Sequence, residues 1–173
     1  MPLKEKYGDL KGARIAIFGA GGAARACVYA LKLENTEVTV FARDPEKGKS
    51  FAKGFDVDFT EISKTKDQKP KTNLSGFDIV VNASPLGMKG PLESESLFTA
   101  EQLEGVKFVY DLVTMPTDTL LIREAKKANI PAIGGLEMLI AQGAKQFDIW
   151  IGQAAPVETM KEAIFKKMDQ TWK

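Results

Sequence analysis

A run of small residues near the start of the chain could hold an anion without using any charged side chain. Gly19-Ala20-Gly21-Gly22-Ala23-Ala24 follows the apolar segment Arg14-Ile15-Ala16-Ile17-Phe18 and leads into a stretch carrying Val28, Leu31 and Leu33. The spacing fits G-x-G-x-x-[G/A] between a strand and a helix. The first glycine permits the tight turn, the second lets a pyrophosphate approach the backbone, and a small third residue lets helix and strand pack closely. Unpaired N–H groups and the dipole at the helix start then favour the anion. The same residues also suit a tight strand-to-helix turn with no ligand.

Which dinucleotide would bind is decided at the end of the next strand. An acidic residue there accepts from a ribose 2′-OH, whereas arginine accommodates a 2′-phosphate. This chain has Arg43, with Lys47 one helical turn further on. Arginine can grip a phosphate bidentately, so the pair points to NADP over NAD. Asp44 lies between them, and both cations also suit a solvated helix start.

Absent residue types narrow the chemistry further. The 173 residues include no His and a single Cys, Cys27. His-dependent nucleophile systems, His-based metal sites and an intrachain disulfide are excluded, leaving Asp, Glu, Lys, Tyr and Cys as candidate acids and bases. No metal is expected, and Cys27, inside a predicted helix, reads as a packing residue. A net charge of +1 gives no general attraction to nucleic acid or an anionic membrane. No apolar run approaches the ~20 residues of a membrane span, and residues 1–11 show no export signal. The composition is that of a soluble protein, expected in the reducing cytoplasm, and the length suits one domain.

The elements that must position these residues alternate. Strands are expected at Arg14–Phe18, Glu37–Ala42, Val57–Phe59, Phe77–Asn82, Lys107–Asp111 and Ile130–Ile133. Helices are expected from Gly21 to Leu33, from Asp44-Pro45 to about Lys53, from about Thr119 to Lys127, and from Leu136 to Ile151 with a stop at Gly152. Pro156 opens a last helix with Val157, Met160, Ile164 and Met168 on one stripe and Phe165 beside it. Lys64–Lys71 reads as a solvated loop. The order predicts an α/β fold, a Rossmann-type doubly wound parallel sheet with helices on both faces.

Several blocks together resemble the shikimate dehydrogenase family. They are GAGGAARA after the first strand, the basic residue after the second, Asn82-Ala83-Ser84-Pro85-Leu86-Gly87-Met88 after the fourth, and Asp111-Leu112-Val113 with Pro116 and Thr119 after the fifth. Gly135-Leu136-Glu137-Met138-Leu139-Ile140-Ala141-Gln142, followed by Phe147, Trp150 and Gly152, completes the likeness. The resemblance extends to quinate/shikimate dehydrogenases and to the dehydrogenase half of fused dehydroquinate dehydratase–shikimate dehydrogenase proteins. It implies reversible, NADPH-dependent reduction of 3-dehydroshikimate to shikimate, a step in aromatic amino-acid biosynthesis.

The family has an amino-terminal substrate lobe with a catalytic Lys–Asp pair and a carboxy-terminal NADP-binding lobe. This chain resembles the second lobe only. Residues 1–13 read as a lead-in, 14–152 as the NADP-binding Rossmann domain, and 153–173 as a helix that packs on the substrate lobe in two-lobe relatives. No catalytic residue is therefore assigned, and the chain alone is expected to be inactive. Without that lobe, the final helix is expected to fray, repack on the Rossmann core or mediate self-association.

Carried over from the resemblance, Gly19, Ala20, Gly21, Gly22, Ala23 and Ala24 hold the pyrophosphate. Ala42, Arg43, Asp44 and Lys47 stand at the 2′-phosphate, where Ala42 and Asp44 replace hydrogen-bonding groups usual in the family. Asn82, Ala83, Ser84 and Pro85 line the adenosine-to-ribose side. Leu112, Gly135 and Met138 surround the nicotinamide, and Gln142 reaches substrate. Thr114 replaces a usual Tyr near the substrate. Without the resemblance, Met138 reads as core, Gln142 as solvent-facing and Asp111 as a cap or loop-fixing acceptor. The rival readings are a nucleotide-binding module without catalysis, and the cofactor domain of a quinate or other dehydrogenase, such as a glutamyl-tRNA reductase-like protein.

Overall fold

Along the first strand, side chains alternate between two cores, as the period of two requires. In the computed structural model, which describes residues 2–62 and 72–171 (side chains to residue 166), strand β1 spans Arg14–Phe18. Ile15 and Ile17 enter one apolar cluster, and Ala16 and Phe18 the other. All four are fully buried, because helices or loops cover both faces of the sheet.

The other strands are β2 (Glu37–Ala42), β3 (Asp58–Glu61), β4 (Ile79–Asn82), β5 (Phe108–Asp111) and β6 (Ala132–Ile133). They pair in parallel in the order β3-β2-β1-β4-β5-β6. The chain runs outward from β1 to β3, then returns to the other side of β1 for β4. The strand order therefore reverses between β1 and β4, and open sheets of this kind bind ligands beyond the carboxyl ends of the strands at that divide. This is the doubly wound Rossmann-type architecture, in a single domain.

One face is covered by α1 (Pro2–Tyr7), α2 (Gly22–Lys32) and α3 (Pro45–Phe55), through Leu3, Ala24, Val28, Leu31 and Phe51. The other is covered by α4 (Leu120–Lys127) and by the segment between β4 and β5, through Leu97, Phe98, Leu103, Leu121 and Ala125. Phe18 links the layers of this second core, stacked on Phe41 at 4.7 Å and edge-on to Phe98 at 5.0 Å. Burial of each such side chain is worth about 1.5–3 kcal/mol.

Helix α5 (Gly135–Ile151) ends at Gly152, whose φ of 71° gives the left-handed cap expected from sequence. Helix α6 (Val157–Thr171) folds back against α5. Asp148 accepts from the Ala155 N–H at 2.8 Å in the intervening turn. A side chain at Gly143 would press on Met160, so the helices approach closely there. Val157, Met160 and Ile164 are half-buried, while Phe165 stays exposed. The stripe thus rests partly on the Rossmann unit itself; the side chain of Met168 and the expected loop Lys64–Lys71 lie outside the described residues.

Several boundaries differ from expectation. The third strand is Asp58–Glu61 rather than Val57–Phe59, because α3 continues to Phe55 and Asp56 then turns the chain with φ 53°. Phe77 closes a turn onto Leu74 instead of starting β4. Lys107 bonds back to the Asp78 carbonyl before β5 begins, and Ile130 and Pro131 precede a two-residue β6. Gly21 and Thr119 are cap residues, and Leu33 closes α2 from outside. The polar lead-in contains α1, with Leu3 and Leu10 buried and Tyr7 edge-on to Phe108 at 5.9 Å. A short 3-10 helix at Glu101–Leu103 was not expected either.

Candidate dinucleotide site

The glycine turn leaves β1 at the point where the strand order divides. Gly19 has a φ of 125°, and a Cβ there would meet the Ala83 carbonyl at 2.5 Å, so both its conformation and its neighbour demand glycine. Its N–H donates to the Phe41 carbonyl, while Ala83 N–H donates to Phe18. The turns after β1 and β4 are thereby fixed side by side. Gly21 caps α2 with no side-chain acceptor, and the first turn of α2 holds no acidic residue. Side chains at Gly21 and Gly22 would meet nothing within 4 Å. The opening of α2 is therefore bare backbone facing open space, suited to an anion.

Ala24 is fully buried in the core under the turn, as a small third residue allows. Arg25, next in the run, stacks over Phe51 at 5.3 Å and Phe55 at 6.0 Å, which commits it to packing α2 on α3. Ala42 is buried at the end of β2, and Arg43 and Lys47 are exposed beside it. Asp44 accepts from the Lys47 N–H at 3.1 Å and caps α3, with Pro45 following at its first position. The carboxylate between the two cations thus closes a helix end.

A buried polar network occupies the other side of the divide. Asn82 and Asp111 are register partners at the ends of β4 and β5. The Asn82 amide donates to Asp111 Oδ1 at 2.9 Å and to the Leu86 carbonyl at 3.0 Å. Its Oδ1 accepts from Ser84 N–H at 3.0 Å and Ser84 Oγ at 2.7 Å. Asp111 also accepts from Val113 N–H at 3.0 Å and from Thr119 Oγ1 at 2.6 Å. Thr119 in turn caps α4 by accepting from Ile122 N–H. Burial pushes the Asp111 carboxyl above the usual aspartate range, and the bonds from Thr119, Val113 and Asn82 pull it back. Asp111 is the loop-fixing acceptor among the sequence alternatives; Thr119, expected at the start of α4, is its cap and also the donor that ties that helix to Asp111.

Beyond β5, Leu112 is buried, Thr114 half-buried, and the Met115–Pro116 peptide is cis. Gly135 donates to the Val113 carbonyl at 3.1 Å, and a side chain on Gly135 would collide with the Leu112 carbonyl. Met138 is half-buried against the core, Gln142 is exposed on α5, and Pro85 is exposed on the β4 turn. Burial raises the Cys27 thiol to about 11, so it stays protonated and serves packing. Among the described residues no cluster of His, Cys, Asp or Glu could hold a metal, and no helix is long and apolar enough to cross a membrane. Two open hollows lie at the opposite ends of the strands, one lined by Leu74 and Gly105 and the other by Val38 and Asp58. Neither includes a residue of the strand-end cluster.

Strand order, glycine turn and bare helix start match the pattern by which Rossmann domains take a dinucleotide. Comparison with known sequences makes this more particular. The shikimate / quinate 5-dehydrogenase profile matches residues 2–115, and the shikimate 5'-dehydrogenase C-terminal domain profile matches residues 135–165. The chain belongs to the shikimate/quinate dehydrogenase family. It is 38% identical to the shikimate dehydrogenase (NADP(+)) of Methanocaldococcus jannaschii over 97% of this chain and 60% of that protein. A crystal structure of shikimate dehydrogenase in complex with NADP+ superimposes with a TM-score of 0.82 at 37% identity, covering 95% of this chain and 58% of that one. The Listeria monocytogenes shikimate 5-dehydrogenase, in complex with shikimate and NAD, gives a TM-score of 0.76 at 31% identity, covering 94% and 59%. The chain thus spans about 60% of the length of such relatives.

Proposed function

We propose that this chain is the NADP(H)-binding part of a shikimate dehydrogenase-like reductase. The observation that carries the reading is the bare N-terminus of α2 at the divide between β1 and β4, beside Arg43 and Lys47. The residues fit the cofactor: Gly19–Ala24 cradle the pyrophosphate, and a Cβ at Gly19 would fill the close approach to Ala83. Arg43 and Lys47 hold the 2′-phosphate, since Asp44 is engaged in capping α3. Asn82–Pro85 line the adenosine-to-ribose side, and Leu112, Gly135 and Met138 wall the nicotinamide. When bound, NADPH supplies the hydride.

Thr114 and Gln142 form the substrate side of this unit. The acid–base pair that moves the alcohol proton belongs to the segment by which the relatives are longer, so hydride transfer with shikimate or 3-dehydroshikimate requires that segment. The unit runs from residue 14 to 152, and residues 153–173 meet the substrate lobe in the working enzyme. Ile149, Trp150 and Ile151 at the end of α5 and Phe165 on α6 are more than half exposed, and in the isolated chain they support self-association. A reducing cytoplasmic setting suits the single protonated thiol.

Calorimetric titration tests the cofactor. NADPH is expected to bind more tightly than NADH, and Arg43→Ala to weaken only NADPH, by roughly 1.5–3 kcal/mol. Equal affinities would make Asp44 a ribose contact. Turnover of shikimate with NADP+, proportional to purified chain, would contradict the need for a second lobe.

A further inference from the structure

We propose that Asp111 is a positioning residue for the nicotinamide half of the cofactor, acting through the backbone of Leu112–Thr114. The inference rests on the cofactor reading above and goes beyond it, since Asp111 itself lies beneath the site and is fully buried. Beyond β5 the chain leaves the sheet at once, and four ties fix its path. Leu112 N–H donates to the Asn82 carbonyl at 2.9 Å, the Val113 carbonyl accepts from Gly135 at 3.1 Å, and the Met115 carbonyl accepts from Lys89 N–H at 2.8 Å. The fourth, Val113 N–H to Asp111 Oδ1 at 3.0 Å, uses a side chain.

That side chain is itself anchored twice more, to Asn82 at the end of β4 and to Thr119 at the start of α4. The carboxylate therefore joins both ends of the 112–118 loop to the neighbouring strand. Truncating it would free Val113 N–H, unlock the turn and let the Leu112 carbonyl drift from its contact with Gly135. The β4 turn does not depend on it in the same way. Asn82 is still oriented by its bonds to Leu86 and to both the N–H and the hydroxyl of Ser84. Asp111 thus governs the nicotinamide side and leaves the adenosine side in place.

The prediction separates the two halves of the ligand. Affinities for NADP+ and for adenosine 2′,5′-bisphosphate, which lacks the nicotinamide half, are measured by calorimetry on the full chain and on Asp111→Ala and Asp111→Asn. Asparagine retains a neutral acceptor for Val113 N–H, and alanine retains none. NADP+ affinity is expected to fall about threefold in the Asn variant and about twentyfold in the Ala variant, the size of the penalty for leaving the buried Val113 N–H without an acceptor. Bisphosphate affinity should stay within about twofold of wild type in both. If Asp111→Ala does not fold, the Asn variant decides by the same selective loss. Unchanged NADP+ affinity in the folded variants, or an equal loss for both ligands, would overturn the positioning role. A wild-type chain that binds neither ligand would instead refute the cofactor reading.

Discussion

At the start of α2 the cap residue is Gly21 and offers no acceptor, whereas α3 and α4 begin on Asp44 and Thr119, each accepting a backbone N–H of its own helix. All three helices begin just past the carboxyl end of a strand or its following loop, so all three could present N–H groups to a ligand. Two are sealed from within by the chain. Capping is worth about 1 kcal/mol, and α2 forgoes it at the point where the strand order divides. Of these three helices, α2 keeps its backbone donors available where α3 and α4 use theirs for stability. Helix α5 also starts on an uncapped glycine, Gly134, but its Gly135 N–H donates to the Val113 carbonyl. Thr119 extends the contrast: it is tied to Asp111, so sealing α4 also secures the loop after β5.

The contrast can be broken most sharply at Gly21. Its backbone, φ −92° and ψ −168°, suits an ordinary cap residue, and an added Cβ meets nothing within 4 Å. Gly21→Asp should therefore fold, with stability raised by only a few tenths of a kcal/mol. It should lose at least about a hundredfold in NADP+ affinity, because a carboxylate would claim the N–H groups and repel the pyrophosphate. Thermal melting with calorimetry reads both quantities; a stable variant that binds normally would show that the bare cap is incidental.

The sealed end should respond in the opposite currency. Thr119→Ala removes the α4 cap and a buried donor to Asp111, and is expected to cost roughly 2–3 kcal/mol of stability. Thr119→Ser should recover most of it. Denaturant unfolding measures the difference, and an alanine variant as stable as wild type would contradict the network's role.

A smaller effect distinguishes two carboxylates by pH. At the opposite end of the strands Asp78 accepts from Lys107 Nζ at 2.8 Å and from Arg14 N–H at 2.9 Å, which hold its carboxyl below the ordinary value, Lys107 foremost. Its contribution is present above the unfolded-state value and is lost as pH falls through the folded-state value. Asp111, raised by burial, works in the other sense: its share is complete below the unfolded value and is lost as pH rises through the folded one. Melting curves between about pH 2 and 6 should fall less steeply toward acid for Asp78→Asn than for wild type. An unchanged acid limb would remove Asp78 from the account.

The glycine turn and its strand were legible because Gly19 to Ala24 and Arg14 to Phe18 carry local signals that the fold keeps intact. The strands β2, β4 and β5 were legible for the same reason, as apolar runs buried on both faces. Strand β3 was harder, since this edge strand is mostly exposed and offers no alternation to read. Helix α1 was missed although Leu3, Tyr7 and Leu10 lie at helical spacing, because Lys4, Glu5, Lys6, Asp9 and Lys11 make the segment read as polar. The joining of Asn82, Ser84, Asp111 and Thr119 was beyond local reading. It depends on the register that sets Asn82 opposite Asp111, a consequence of the crossover between β4 and β5. The cap of α3 was legible as an acceptor, Asp44, directly before Pro45, and the hydrogen bond from Lys47 N–H bears it out.

The most direct test of the central claim, that a dinucleotide binds at the bare start of α2, is an amide NMR titration of the full chain with NADP+. The account predicts saturable shifts at Gly19–Ala24 and Asn82–Ser84, extending to Leu112–Thr114, with none of them in Gly21→Asp. Absence of binding, or shifts confined to the hollows around Leu74 and Val38, would contradict it.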